Sequence, residues 1–444
     1  MTKLTVERLN FFVPKEADQL LSKLRELLRD LSIDCYIVGG FVRDGILGRM
    51  NRDIDVAVAG DATVIASEVA RAFRTRMVSL NEINQIARVV FPQKESSWHI
   101  DFAPLRGTIE NDLSYRDFTI NAIAMNIAET GHGWAQAPII DPQDGCSDLR
   151  NGVLRAIADD VFQQDPVRLL RAIRFSTILD LSMDPATEAL VQRDCNLVTS
   201  VSAERIRDEL CYMLEAPRAY DSLRHLDRLG LLEQIMPELT ETKGTTQPKE
   251  HFWDVFDHSL ETVAAVERLI GEQVSTQDDM LVAYVPWSSE IAQHFSQEIA
   301  TGHSRGSLLK LAGLLHDLGK PVTKTIEADG RMRFLGHAKE GAVMVTQLME
   351  RLRFSNREIK LMQSMVEHHL RPGYLVSEQM PSRHAVYKYF RDTGDAGIDT
   401  LFLSLADHLA ARGPMLDLDQ WRQHTETARY MLDKWQQIPS SALR

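Results

Sequence analysis

The segment Tyr36–Val58, YIVGGFVRDGILGRMNRDIDVAV, constrains this chain more than any other. An apolar run ends in Gly39 and Gly40, passes directly into helix-like sequence, and is followed by a second apolar run that opens with Asp53, Ile54 and Asp55. Glycines at a strand-to-helix junction let the backbone approach a ligand closely, and the N–H groups of a helix start favour phosphate. Strand alternation puts Asp53 and Asp55 on one face, about two residues of rise apart. A carboxylate pair so placed suits two magnesium ions that bridge a nucleoside triphosphate, activate an attacking hydroxyl and stabilise the leaving pyrophosphate. A lone Asp-x-Asp is more often a solvated strand end; its union with the glycine pair points to phosphoryl transfer.

Around this segment the pattern alternates. Apolar positions Leu20, Leu21, Leu24, Leu27, Leu28 and Leu31 fall at helical spacing and lead into a strand over Cys35–Val38. Further β-rich runs are expected at Ile54–Val58, Ala87–Phe91 and Trp98–Phe102, with helical stretches at Ala62–Phe73 and Thr119–Met125. After Asp141 the strand signals fade. Pro166–Ile178, Ala203–Leu214 and Ala219–Leu232 have helical periodicity, so an α/β N-terminal domain is expected to be followed by mainly α-helical domains. The polar stretch ETKGTTQPKE, Glu241–Glu250, reads as a linker, and Glu272–Arg305 as irregular. The expected division is 1–150, 151–240 and 250–444.

The formal net charge of −13 argues against a generally basic, nucleic-acid-coating surface and leaves room for a local basic cleft. Cys35, Cys146, Cys195 and Cys211 are scattered without metal-site or disulfide spacing and read as small buried hydrophobes. The N-terminal sequence alternates charged with apolar residues and lacks the sustained apolar run of a signal peptide or membrane span, so a cytoplasmic location and no membrane partner are expected.

With GGFVRDGILG and DID on the page, the chain resembles the class II tRNA nucleotidyltransferase and bacterial poly(A) polymerase family. The likeness continues in family order through RDFTINAIAMN (Arg116–Asn126), DPQDGCSDL (Asp141–Leu149), DPVRLLRAIRF (Asp165–Phe175) and SAERIRDEL (Ser202–Leu210), over residues 30–235. It implies a polymerase β-like nucleotidyltransferase head with Asp53 and Asp55 as catalytic ligands of Mg2+. Gly39, Gly40, Arg43, Arg116 and Asp117 would meet the incoming nucleotide. Asp165 and Arg168, three residues apart and so neighbours on a helix face, would read the base edge, an acceptor and a donor standing in for a template. Arg171 and Arg174 join the nucleotide-binding set, and Arg205, Arg207 and Arg218 extend a run of basic residues toward RNA. Asp101 is open between a third carboxylate and an edge-strand surface residue. Three departures stand out: Gln164 replaces the usual Glu before Asp165, Tyr115 replaces an Arg before Arg116, and the stretch Asp101–Arg116 is short. Family members that add the terminal A carry a longer loop there, and those that stop at CC lack it.

The C-terminal half holds most of the histidines. His258 (DVFDHSLETVAAV), His316-Asp317 (LAGLLHDLGKP), His337 (FLGHAKEGA), His368 and His369 (MVEHHLRP) and Asp407 (LSLADHLAA) supply the imidazoles and carboxylates that a hydrolytic divalent metal takes. Their order resembles the HD phosphohydrolase superfamily. That resemblance implies an all-α HD domain in which His258, His316, Asp317 and Asp407 hold one metal, a transition metal or Mg2+. His337 with His368 or His369 would hold a second; His368 is the preferred residue. A metal-bound water would attack a phosphoester. Lys320 is open between a phosphate contact and a solvated helix end.

The expected function is template-independent addition of CMP, and of AMP in a complete CCA enzyme, to the 3′ end of tRNA or another RNA from CTP and ATP. Alternatives are a poly(A) polymerase, an HD phosphohydrolase whose N-terminal half positions RNA, and an RNA-binding protein with inactive catalytic remnants. The oligomeric state is left open.

Overall fold

In a computed structural model the structure describes residues 11–31, 33–92, 97–134, 137–248, 251–271, 280–300, 302–377 and 379–437. The chain forms two compact units, 1–164 with 180–190, and 165–179 with 191–444.

The first unit is built on seven strands: β1 (Cys35–Val38), β2 (Asp53–Val58), β3 (Arg76–Asn81), β4 (Ile86–Phe91), β5 (Trp98–Pro104), β6 (Ala124–Asn126) and β7 (Ile139–Ile140), in the order β3-β4-β5-β2-β1-β6-β7. Only the β2–β5 pair is parallel. In β2 the alternating pattern buries Ile54 and Val56 and turns Asp53 and Asp55 to the other face. The helix Ala62–Ala72 begins where Asp61 accepts hydrogen bonds from the Thr63 and Val64 N–H groups. It buries Ile65, Ala66 and Val69. Val38, Ala57, Ile109, Leu113, Ala122 and Ala124 form a cluster beneath the end of β1, fixing the segment that carries the glycine pair.

Three local expectations change. Thr119–Met125 is not a helix: Thr119–Asn121 makes one tight turn and Ala124–Met125 enters β6, opposite Val38 and Ile37. Pairing with β1 satisfies the backbone of a segment that is fully buried, and this overrides its local helical preference. Ala219–Leu232 is interrupted at Gly230, which has φ +75°, so two helices form, Ala219–Arg228 and Leu231–Ile235. The part of Glu272–Arg305 that is described is ordered, with the helix Ser289–Ser296 capped by Ser288 and a hairpin pairing Glu298–Ala300 with His303–Ser304. Residues 272–279 and 301 lie outside the described residues, as do 249 and 250 of the expected linker.

The second unit is helical. Arg168–Ile178 packs against Ala203–Glu215 and Ala219–Arg228. In its C-terminal part Val255–Ile270 packs on both Gly397–Arg412 and Arg305–Leu315, and His337–Arg351 on Asn356–His368. Gly319 lets the turn after His316-Asp317 approach the start of His337–Arg351, where a β-carbon would sit 2.3 Å from the His337 carbonyl oxygen.

Candidate functional sites

In the first unit, Gly39 has φ +70° and donates its N–H to the Ile123 carbonyl oxygen at 3.0 Å. A β-carbon there would come within 2.8 Å of Arg116 Nη1 and 3.6 Å of Asp55 Oδ2. The glycine is thus the floor on which the β2 carboxylate and the arginine of the RDFTINA segment meet. Asp53 lies farther out on the same face, two-thirds exposed, with His99 Nδ1 3.0 Å from its Oδ1. Asp101 sits opposite Asp55 on β5, which is an interior strand and not an edge. Its two oxygens accept a bidentate pair from Arg88 at 2.7 and 2.8 Å, so its charge is already matched.

Arg43 and Asp117, which the resemblance places at the incoming nucleotide, are engaged in a buried polar network. Arg43 is buried, clasps Asp44 through two hydrogen bonds of 2.8 Å and donates to Asn121 Oδ1 at 2.7 Å. Asn51 donates to the same Asp44. Asp117 is turned inward, accepting from the Phe118 N–H and from Asn121 Nδ2. This polar network ties the helix that begins at Gly40 to the turn after Arg116, and burial makes it costly to break. Asn51 and Asn121, which sequence reasoning missed, hold the first site together; their signal was their place inside the two glycine- and Asp-bearing motifs.

The stretch that follows β5 is short and ordered. Thr108 caps the six-residue helix Ile109–Ser114, Asp112 of that helix lies 3.5 Å from Arg116, and the Arg106 guanidinium stands over the ring of half-exposed Tyr115 at 5.5 Å.

Asp165 and Arg168, which the resemblance suggests for reading the base, lie in the second unit. Asp165 is not on a helix face with Arg168, because the helix starts at Arg168 and Asp165 belongs to the turn before it. Arg205 grips Asp165 with two hydrogen bonds of 3.0 and 2.8 Å. Arg171 lies over the Phe175 ring, and Arg174 is held by Glu209 at 2.7 Å between the rings of Phe175 and Tyr212. Arg207 and Arg218 pair with Asp208 and Asp221.

The second site is assembled from separate helices. His258 lies in Val255–Ile270 and Asp407 in Gly397–Arg412; His316 and Asp317 follow Arg305–Leu315, His337 opens His337–Arg351, and His369 closes Asn356–His368. His258 Nε2 is 3.0 Å from Asp407 Oδ1, His316 Nε2 is 3.2 Å from Asp317 Oδ2, and His337 Nε2 is 3.3 Å from Asp317 Oδ1. The sets His258, His316, Asp407 and His316, Asp317, His369 each bring their ligand atoms within 4.8 Å of one another. His369, and not the preferred His368, enters the cluster: it is fully buried with Nε2 3.4 Å from His337 Nε2, whereas His368 is half-buried near Arg371 and Asp392. The reason is that His369 keeps the helical backbone conformation just past His368, and successive helical positions face directions about 100° apart, so only one of the two rings faces the cluster.

The donor set fits a cation. Nδ1 of His316, His337 and His369 is 2.9, 2.8 and 2.7 Å from the carbonyls of Gly313, Phe334 and Val366, each three residues earlier. Those bonds fix the tautomer that leaves each Nε2 lone pair facing the carboxylates. His258 Nε2, His316 Nε2 and both Asp317 oxygens are buried without a well-formed hydrogen bond, an arrangement of acceptors that a divalent metal stabilises. Lys320 Nζ reaches Asp317 Oδ2 at 2.5 Å and Gln247 Oε1 at 2.6 Å, so it is no solvated helix end. Burial alone would raise the Asp317 carboxyl, but His316 and Lys320 hold it well below the usual range. Burial pushes the His369 imidazole down to about 4. The cluster opens into a cavity of about 940 Å³ that Asp317, Lys320, His337, His369 and Asp407 help to line.

Three family models match the chain: the Poly A polymerase head domain over residues 35–155, a probable RNA- and SrmB-binding site of polymerase A over 180–243, and the HD domain over 255–412. An A-adding tRNA nucleotidyltransferase of Deinococcus radiodurans is 32% identical over 387 residues, covering 85% of this chain and 77% of its own. A CC-adding tRNA nucleotidyltransferase of Thermus thermophilus is 29% identical over 387 residues, covering 86% and 77%. A solved structure of a CCA-adding enzyme in complex with ATP matches the fold with a TM-score of 0.63 at 22% identity, covering 96% of this chain and 84% of that one. With a carboxylate and an arginine meeting over Gly39 and an HD cluster in the helical unit, this chain belongs to the tRNA nucleotidyltransferase family.

Proposed function

We propose that the chain adds nucleotides to the 3′ end of tRNA and stops after two C residues. The meeting of Asp55 and Arg116 over Gly39 carries the transferase reading. Mg2+ held by Asp53 and Asp55 would supply charge neutralisation at the triphosphate and activation of the RNA 3′ hydroxyl. Gly39 lets a phosphate approach the backbone, Arg116 offers a planar pair of donors to its oxygens, and Arg88 keeps Asp101 from competing for the cation. Within the second unit, Asp165, oriented by Arg205, and Arg168 would offer an acceptor and a donor suited to a nucleotide base.

The stop after CC rests on the connection after β5, where a capped six-residue helix stands in place of a long loop. Addition of a single A is the second reading, favoured by the 32% identity to an A-adding relative. Purified protein with Mg2+ and tRNA transcripts ending before CCA, after C and after CC, given labelled CTP or ATP, separates the readings. Two C residues and no A is the expected result; a lone A after CC marks an A-adding enzyme, and long A tracts mark poly(A) synthesis.

The helical cluster serves a second proposed activity, metal-dependent hydrolysis of a phosphoester, supported by the converging imidazoles and carboxylates around Asp317 and by Lys320 beside them. Among the described residues no helix is long and apolar enough to cross a membrane.

A further inference from the structure

The cavity beside Asp317 is lined by histidines that are not metal-ligand candidates. His251 lies four residues before the HD match begins, His424 twelve residues after it ends, and His408 next to Asp407; all three line the cavity. The His251 ring meets His258 edge-on with centroids 5.3 Å apart, and its Nδ1 is buried without a hydrogen-bond partner. His408 and His424 are stacked at 3.8 Å, with His408 Nε2 likewise buried and unpartnered. Among the described residues, none of the three belongs to a group whose ligand atoms converge closely enough to hold a metal.

The segment that carries His251 is held firmly. The His251 N–H donates to the Pro248 carbonyl oxygen, and the Phe252 N–H to the carbonyl oxygen of Ala411 in the Asp407 helix. Gln247 Nε2 lies 3.3 Å from the carbonyls of Trp253 and Asp254 while its Oε1 takes Lys320. A mere connection between domains has no need of polar side chains fixed against a metal cluster. Imidazole rings on a cavity wall can donate to or accept from a ligand that enters it, and all three of these rings lie on that wall.

We propose that His251, with the His408–His424 stack, forms the substrate-contacting wall of this cavity and hydrogen-bonds a nucleotide-sized phosphoester whose phosphate lies toward Lys320 and the metal cluster. The proposal rests on the phosphohydrolase reading of the cluster. The volume of about 940 Å³ exceeds what inorganic phosphate requires, and Arg331, Arg412 and the exposed Tyr374 ring also line it, a cationic and aromatic set that matches a phosphate carrying a base. Neutral imidazoles can both donate and accept, which suits sugar hydroxyls.

The test uses the full chain loaded with Mn2+, Ni2+ or Mg2+ in turn, with nucleoside monophosphates and p-nitrophenyl phosphate as substrates, and with calorimetric titration of the metal alone and of inosine monophosphate. His251→Ala and His424→Ala are expected to raise KM for the nucleotide about tenfold and to weaken nucleotide binding equally, with metal affinity within twofold of wild type. Their effect on p-nitrophenyl phosphate, which is smaller, is expected to be less than threefold. His251→Gln, which keeps a donor and an acceptor, is expected to recover at least half of the lost affinity and guards against a folding defect. Unchanged nucleotide binding in both alanine variants overturns the proposal, as does a loss of metal affinity in step with binding, which would make His251 a ligand. Failure of the underlying reading looks different: hydrolysis absent with every metal, or persisting in Asp317→Ala, removes the phosphohydrolase itself, whatever His251 does.

Discussion

The two candidate sites solve the problem of placing carboxylates in opposite ways. The first lies on a sheet: Asp53 and Asp55 are two residues apart on one strand, exposed or half-exposed, and all their precision comes from the surroundings of Gly39 and from a buried network of Arg43, Asp44, Asn51, Asn121 and Asp117. The second is built in the helical interior from residues as far apart as His258 and Asp407, with His316, His337 and His369 each locked through a backbone carbonyl. An exposed strand face leaves space for a triphosphate and an RNA end to enter. A buried cluster excludes most water, so it favours a small group that reaches it through a cavity. One site is local and lies on an exposed strand face; the other is gathered from distant residues and is reached through a cavity.

The sharpest way to break this comparison is to disable each site alone. Asp55→Ala is expected to lower nucleotide incorporation about 10³-fold, the several kcal/mol that metal-assisted charge stabilisation supplies, and to leave metal binding at the HD cluster unchanged. Asp317→Ala is expected to do the reverse, abolishing metal binding there by calorimetry while tRNA extension stays within twofold. If either variant damages both activities, the sites are not independent.

Next in size is the network beneath the first site. Asp44→Ala leaves the buried Arg43 guanidinium without its carboxylate and should cost ~3–5 kcal/mol of stability, read by urea unfolding. A cost under ~1 kcal/mol would mean that the open site does not depend on its buried frame. Gly39→Ala forces an L residue to φ +70° and toward Arg116, so incorporation should fall about 10- to 100-fold for the ~1–3 kcal/mol of backbone strain, with little change in melting behaviour of the helical unit.

The smallest expected effect is on pH dependence. Burial pushes His251, His369 and His408 down to about 4, whereas in an unfolded chain they titrate near ~6.5. Between those values the unfolded state binds more protons, so stability is full above about 6.5 and is lost as pH falls toward 4. Asp317 and Asp407, held low against burial by neighbouring His316, Lys320 and His258, act in the same direction at still lower pH. His316 opposes them: burial lowers it, but the Asp317 and Asp407 carboxylates prevail and raise it. Chelator-treated protein melted between pH 7 and 4 should therefore lose stability in the helical unit first; a flat profile would count against the buried, uncharged imidazoles.

Much of the first site was legible because its chemistry is local. β1 runs over Cys35–Val38 as the apolar pattern indicates, and the helix Ala62–Ala72 follows its Asp61 cap. Thr119–Met125 was misread because its residue preferences are helical while its pairing partner, β1, lies 80-odd residues earlier, at Tyr36–Val38. Asp165 and Arg168 were read as one helix face because spacing alone does not reveal where a helix starts. The choice between His368 and His369 turned on one residue at a helix end, where a rotation of about 100° decides which ring faces inward.

By itself the sequence determined the order of strands and helices around the glycine pair, the types of residue available as ligands, and the family, because each is written in short-range pattern and spacing. Only the tertiary structure decided that Arg43 and Asp117 serve the frame, that Asp101 is matched by Arg88, that His369 joins the cluster, and that His251 and His424 share its cavity. The physical reason is that a hydrogen bond or a ligand contact is made between side chains brought together by packing, over separations on which sequence spacing is silent.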